Sequence, residues 1–260
     1  MAVPRDQTGA LGFGCARLLE KASAREGERL LEAAFGCGIS HFDVARSYGD
    51  GRAEQILGRV ARRHPGRVRI FTKAGIDPPS GIERFARKLT TPLGRGRKLA
   101  EHRPSRFHPN QVAMSVLKSL KALRTPEVDA LLLHDCSLQD LSEELLHLLQ
   151  TLSRRGVIGA FGIATSVQSA ALIYQKAPAF CSIVQIPDDG VTPLPVVQGH
   201  LITHSFWRSQ EENYDNQLIS ALRRNSRGTV LFSSHNQEHI RRNSQLASWD
   251  DSTLGLLDRG

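Results

Sequence analysis

The sequence predicts an α/β fold, a closed (β/α)8 barrel of parallel strands formed by residues 1–260 as one domain. Three observations carry that expectation. Short apolar runs of strand length alternate with segments of helical period along nearly the whole chain, the pattern of parallel strands joined by crossover helices. Seven or eight such runs can be counted, and eight favour closure into a barrel. The alternative, a doubly wound open sheet, usually carries GxGxxG after its first strand, whereas GFGCAR here lacks the third glycine.

The first strand is ALGFG, residues 10–14, bounded by glycine. From Arg25 the pattern turns helical, with Leu30, Leu31, Ala34 and Phe35 on one face and Gly36 and Gly38 available to end it. Ile39 to Val44 is the second strand, and the Gly-bounded SYGDG after it is a loop. Ala53, Ile56, Leu57 and Val60 repeat at helical spacing, with Arg59, Arg62 and Arg63 facing outward. The strand VRIFT, residues 68–72, follows and exits at Lys73 into AGIDPPSG.

Pro109 and Asn110 open a helix with Val112, Val116, Leu117, Leu120 and Leu123 on one side. VDALLL, residues 128–133, is a strand ending at His134, and a helix through Leu141, Leu145, Leu148, Leu149 and Leu152 leads to the strand Val157 to Ile163. Val167, Ala170, Ala171 and Tyr174 read as helix, and SIVQI, residues 182–186, as strand. Regularity then fails. PDDGVTPLPVVQG, residues 187–199, contains three prolines and too little periodicity for a crossover helix, so the strand His200 to Ser205 is reached by a loop. Tyr214 to Arg224 is helical, TVLFS at 229–233 is the eighth strand, and Gln237 to Leu246 begins a last helix.

Composition narrows the partners. With 40% hydrophobic and 23% charged residues the chain is globular. No segment has the apolar length needed to cross a bilayer, and MAVPRDQTGALG lacks the core of a signal peptide, so the cytoplasm is the expected location. Cys15, Cys37, Cys136 and Cys181 form no CxxC pair and suggest neither a zinc site nor a disulfide framework. The net charge of +8 favours anionic partners without choosing among nucleic acid, phosphorylated cofactors and acidic substrates. Much of it lies between Arg84 and Arg106, with only Phe85 and Phe107 as nearby aromatics. A nucleic-acid groove interleaves stacking aromatics with its cations, so this stretch reads as a solvated loop.

GISHFDVARSYGDG, residues 38–51, puts the carboxylate of Asp43 and the phenol of Tyr48 at a strand's carboxyl end. By itself it reads equally as a capped turn or as an active-site loop. Lys73 and His134 alter that balance, because they fall at the ends of the third and fourth strands and barrel strand ends share one face.

With these residues the sequence resembles the aldo-keto reductases, nicotinamide-dependent barrel enzymes. The resemblance runs through LGFGCARL, GISHFDVARSYGDGRAEQILG, VRIFTKAG, SLKALRTPEVDALLLHD, GVIGAFGIAT, VQI and TVLFSSHNQEHIRRN, in order along most of the chain. It implies reduction of an aldehyde or ketone by NADPH, with NADH possible, on a tetrad of Tyr48, Lys73, Asp43 and His134. Tyr48 would be the general acid, Lys73 would lower its pKa, Asp43 would keep Lys73 charged, and His134 would polarise the carbonyl oxygen. Lowering a phenol by roughly three units takes on the order of 4 kcal/mol, about what one ammonium at about 4 Å supplies at an effective dielectric near 20. No metal is called for.

On the cofactor side the resemblance implies contacts from Thr165, Gln185, His204, Ser205, Ser234, His239 and Asn243. Here Ala164 and Thr165 stand where the family usually has Ser-Asn, His204 replaces a stacking tyrosine, and His239 replaces an arginine, for which Arg241 or Arg242 could compensate. The segment at 187–199 and short termini imply a trimmed barrel. Two alternatives stay open: an NAD-dependent alcohol or sugar dehydrogenase on the same tetrad, and a dinucleotide-binding regulatory subunit without turnover. A small-molecule carbonyl substrate is the expected partner, with no membrane and no nucleic acid.

Overall fold

In the computed structural model, residues 10–78, 104–207 and 213–248 are described. Eight strands follow one another as β1 (Leu11–Gly14), β2 (His41–Asp43), β3 (Arg69–Ala74), β4 (Val128–His134), β5 (Ile158–Ala164), β6 (Ile183–Pro187), β7 (His200–His204) and β8 (Thr229–Phe232). Each pairs in parallel with the next, and β8 returns to β1, closing the barrel. Closure leaves no sheet edge, and the strands are largely buried on both faces.

Alternation at period 2 sorts the side chains. Phe71, Ala130, Leu132, Ala160, Ala164, Ile183, Ile202 and Leu231 fill the barrel's interior. Phe42, between the inward His41 and Asp43, and the chain neighbours Ile70, Leu131, Leu133, Ile163, Val184 and Val230 point out beneath the helices. The same parity directs Asp43, Lys73, His134, Gln185 and His204 inward, above that filling, at the end where the strands finish.

Among the described residues seven α-helices surround the barrel: α1 (Ala24–Gly36), α2 (Arg52–Arg63), α3 (Pro109–Leu123), α4 (Glu143–Arg154), α5 (Val167–Lys176), α6 (Tyr214–Arg224) and α7 (Gln237–Ser248). Their starts are written in the sequence. Ser23 and Glu26 form a reciprocal capping box on α1, Ser142 accepts from Leu145 N on α4, and Ser166 accepts from Ser169 N on α5. Gly58 allows α2 to lie directly on α3, since a Cβ there would stand 2.2 Å from Leu123 O.

The segment 188–199 carries no helix, as its prolines imply. It is instead a strap held by side chains. Asp188, buried, receives two bonds from Arg224 of α6 at 3.0 and 3.3 Å, and Arg224 also donates to Thr192 O at 2.6 Å. Asp189 caps the turn through Val191 N and Thr192 N, and Tyr174 OH accepts from Gln198 N.

Several sequence expectations need correction. Lys73 does not lie beyond its strand; β3 runs through it to Ala74, because its register with β4 continues to Leu133. The second strand is three residues long, although Ile39 and Val44 beside it are buried. Leu117 is exposed on α3, where Ser115 and Ser119 take buried positions, and Ala171 is exposed on α5, where Ile173 is buried. Leu141 precedes α4, and Phe35 is half-buried, stacked on the His64 ring at 4.0 Å. The SYGDG loop contains a 3-10 turn, Tyr48–Gly51. Of the basic stretch, Arg84 to Arg103 lies outside the described residues, as do both termini; Arg106 sits with its guanidinium 5.4 Å from the Phe107 ring centroid.

Candidate active site

Asp43 ends β2 and Lys73 lies near the end of β3, both facing inward and both buried. The register pairs Asp43 with Phe71, so the next inward position on β3, Lys73, stands one step above it. Lys73 Nζ donates to Asp43 Oδ1 at 2.5 Å, to Val44 O at 3.4 Å and to Tyr48 OH at 3.2 Å. Lysine thus bridges carboxylate and phenol.

Tyr48 reaches this point through an unusual turn. Gly49, Asp50 and Gly51 all have positive φ, and the turn begins with Tyr48 N donating to Ala45 O at 3.1 Å. Two of those three positions are glycine, the residue that adopts this backbone without strain. Arg52 Nε closes the turn on Gly49 O at 3.1 Å. His134, the last residue of β4, sets its ring edge-on to Tyr48, with centroids 5.9 Å apart and planes at 90°. The four residues expected at strand ends therefore come together at one mouth.

Burial controls the electrostatics. For Lys73 burial alone would lower the pKa, but Asp43 and then Tyr48 outweigh it and the ammonium is held above its ordinary range. Burial raises Asp43, against the opposing pull of Lys73 and of the Gln185 amide. Tyr48 is raised as well, by burial, with Lys73 only partly opposing. Lys73 does pull the phenol down, as expected, but burial outweighs that pull and the net direction is upward. Removing the hydroxyl from water costs the phenolate more than one ammonium, already committed to Asp43, returns. The phenol is held protonated.

The other predicted contacts line the same end of the barrel and the start of α7. Gln185 is buried on β6, its amide turned to Asp43, and its Oε1 has no hydrogen-bond partner. An unpaired buried acceptor is costly unless a donor reaches it. A carboxamide N–H, as on a nicotinamide, suits that chemistry. Thr165 follows β5 and donates to Cys136 O at 2.7 Å. His204 ends β7 and its Nδ1 lies 2.8 Å from the hydroxyl of Ser205, which has φ of 62°.

Ser234 both donates to Asn236 O and accepts from Asn236 N just before α7. His239 is exposed on α7, whereas Asn243 is buried and donates to Tyr214 OH at 2.9 Å. Arg242 is turned to Asp215 of α6 at 2.7 Å, and Arg241 beside it is exposed.

Three neighbours escaped the sequence reading. Cys15 is buried after β1, its amide donating to Asp43 O at 2.8 Å, and burial together with Asp43 pushes its thiol far up. Glu54 is fully buried in the first turn of α2, and Arg46 sits in the turn between Asp43 and Tyr48. A signal for Glu54 existed: it shares the face of Leu57 and Gly58 at helical spacing. Among the described residues no group of three or more His, Cys, Asp or Glu is placed to hold a metal, and no helix is long and apolar enough to cross a membrane.

A closed parallel eight-stranded barrel whose mouth joins aspartate, lysine, tyrosine and histidine defines a class of barrel proteins, and the comparisons agree. A family model described as the aldo/keto reductase family matches residues 10–202, and the chain belongs to that family. It is 31% identical over 168 residues to a D-threo-aldose 1-dehydrogenase of a Pseudomonas species, covering 62% of this chain and 51% of that protein. It is 27% identical over 175 residues to the uncharacterized oxidoreductase YqkF of Bacillus subtilis, covering 67% and 50%. The chain thus spans about half the length of these curated relatives. Among solved structures it is similar to an aldo-keto reductase of Bacillus halodurans in its holo form, with TM-score 0.71 and 17% identity over 93% of this chain and 87% of that one. An aldo-keto reductase of Klebsiella pneumoniae in complex with NADPH gives TM-score 0.66 at 18% identity, over 96% and 90%.

Proposed function

We propose that this chain reduces an aldehyde or ketone to the alcohol with NADPH, using Tyr48 as the general acid. The observation that carries the reading is the placement of Lys73 Nζ between Asp43 Oδ1 and Tyr48 OH. When bound, the cofactor supplies a hydride to the carbonyl carbon. Tyr48 donates its phenolic proton to the carbonyl oxygen as negative charge develops there. A phenol whose pKa is raised by burial stays protonated and available for this step. The phenolate left behind is stabilised by the adjacent ammonium of Lys73, which Asp43 keeps charged. His134, edge-on to Tyr48, orients the carbonyl toward the phenol.

For the cofactor, Gln185 would accept from the nicotinamide carboxamide through its unpartnered Oε1, beside Thr165. His204 and Ser205 would flank the ring, and Ser234, His239 and Asn243 would meet the adenosine end. Following cofactor absorbance with a panel of aldehydes and ketones tests the reading. Turnover that needs Tyr48 supports it; no turnover with either dinucleotide, and no effect of Tyr48→Phe, rejects it.

A second reading, an NAD-dependent dehydrogenase of alcohols or sugars, is favoured by one observation. His239 occupies an exposed place on α7 where the family usually has an arginine, and an imidazole lacks the arginine's permanent charge and fork of donors for a 2′-phosphate. Relative affinity for the two dinucleotides separates the readings. Tight dinucleotide binding without turnover would instead indicate a regulatory subunit.

A further inference from the structure

Glu54 is a carboxylate with no exposure in the first turn of α2, and the chemistry above makes no use of it. Its contacts link the two elements whose separation matters most. Thr72 Oγ1 donates to Glu54 Oε1 at 2.7 Å, and Thr72 is the outward neighbour of the inward Lys73 on β3. Glu54 Oε2 lies 3.9 Å from Arg46 Nη1, an ion contact without a hydrogen bond; burial raises the Glu54 carboxyl, with Thr72 and Arg46 among the groups opposing it, and Arg46 belongs to the turn that carries Tyr48. Arg46 Nε in turn donates to Asp77 Oδ1 at 2.9 Å, on the loop that leaves β3. A buried carboxylate and a largely buried guanidinium therefore tie the Tyr48 turn to β3 on both sides of Lys73.

We propose that Glu54 and Arg46 are positioning residues that clamp the Tyr48 turn onto β3 and so set the distance from the Tyr48 hydroxyl to Lys73 Nζ. Each acts on Tyr48 or Lys73 through the turn or the strand. Glu54 fixes the back of the strand through Thr72, and Arg46 carries that anchorage to the turn. A neutral amide at 54 keeps an acceptor for Thr72 but loses the charge attraction on Arg46. Conversely, loss of Arg46 leaves Thr72 bonded and frees the turn. The role in hydride transfer rests on the proposed reduction; the geometric clamp does not.

The test uses the 260-residue chain labelled with 13Cζ-tyrosine. The chain has three tyrosines, Tyr48, Tyr174 and Tyr214, and the Tyr48 resonance is the one lost in Tyr48→Phe. Glu54→Gln, Arg46→Ala and the double variant are compared with Arg62→Ala, a control at an exposed position of α2. In both single variants the Tyr48 resonance at pH 7 is expected to shift, with kcat for carbonyl reduction about tenfold lower and cofactor KM changed less than about twofold. The double variant should fall no further than the worse single, because both residues act through one tie. A Tyr48 resonance unmoved in both singles, with only the melting temperature lowered, overturns the clamp, as does a fully multiplicative loss in the double variant. Should the wild-type chain turn over no carbonyl, the proposed reduction fails, while the resonance still decides the clamp.

Discussion

Lys73 Nζ and Asp43 Oδ1 lie 2.5 Å apart across neighbouring strands, and each side chain is almost wholly removed from water. A buried pair of this kind is costly to break, because either partner alone is an uncompensated charge. Asp43→Asn is expected to lower the unfolding free energy by about 3 kcal/mol, measured by urea titration. It should also let Lys73 lose its proton at lower pH, since burial then acts without its main opponent.

Lys73→Met removes the ammonium 3.2 Å from the Tyr48 oxygen. The expected loss in kcat is about 10³-fold, the rate equivalent of about 4 kcal/mol of phenolate stabilisation. Single-turnover hydride transfer is the measurement. A variant within a few-fold of wild type would remove Lys73 from the chemistry.

The pH dependence follows from the direction of the Tyr48 shift. A general acid works while protonated, and burial raises this phenol above its ordinary value. The rate of carbonyl reduction should be flat through neutral pH and fall only above about 10, the usual tyrosine value. Loss of rate beginning near pH 7, traced to Tyr48, would show that Lys73 dominates after all.

Stability has its own acid limb, set deep in the barrel. His41 is buried and stacked on Phe71 at 3.9 Å, with no hydrogen-bond partner for either ring nitrogen. Burial, then His200, Lys73 and Arg69, hold its pKa well below the ordinary value, and His200 is lowered by burial too. Below about pH 6.5 the unfolded chain binds protons that the folded one refuses, so stability falls with falling pH, by up to about 1.4 kcal/mol per unit per histidine. Urea midpoints at pH 7.5 and 5 should differ, and His41→Leu should reduce the difference.

The strap at 188–199 depends on one ion pair. Arg224→Ala leaves the carboxylate of Asp188 buried without its guanidinium, an expected cost of about 3 kcal/mol. Limited proteolysis should then cut within 188–199 sooner than in the wild type. Unchanged cleavage would mean that Asp189 and Tyr174 hold the strap unaided.

The alternation of strand and helix, the missing crossover helix and the meeting of Asp43, Lys73 and His134 at one rim were all legible in the chain. They depend on local pattern: period 2 or 3.6, turn residues, and the rule that parallel strands end on one face. Tyr48 could be placed near that rim only because its turn immediately follows β2. Misreadings cluster where neighbours decide. Leu117 and Ala171 lie at the edges of helical stripes, and which edge is covered depends on the adjoining helix, not on the stripe.

By itself, then, the sequence determined the barrel and the residue types at its mouth, since both follow from periodicity and from strand ends. Only the tertiary structure decided that Glu54 and Arg46 reach β3 and the Tyr48 turn, that Asn243 is engaged by Tyr214, and that the phenol is raised rather than lowered. Burial and charge separation are properties of three-dimensional packing, and chain order carries neither distance.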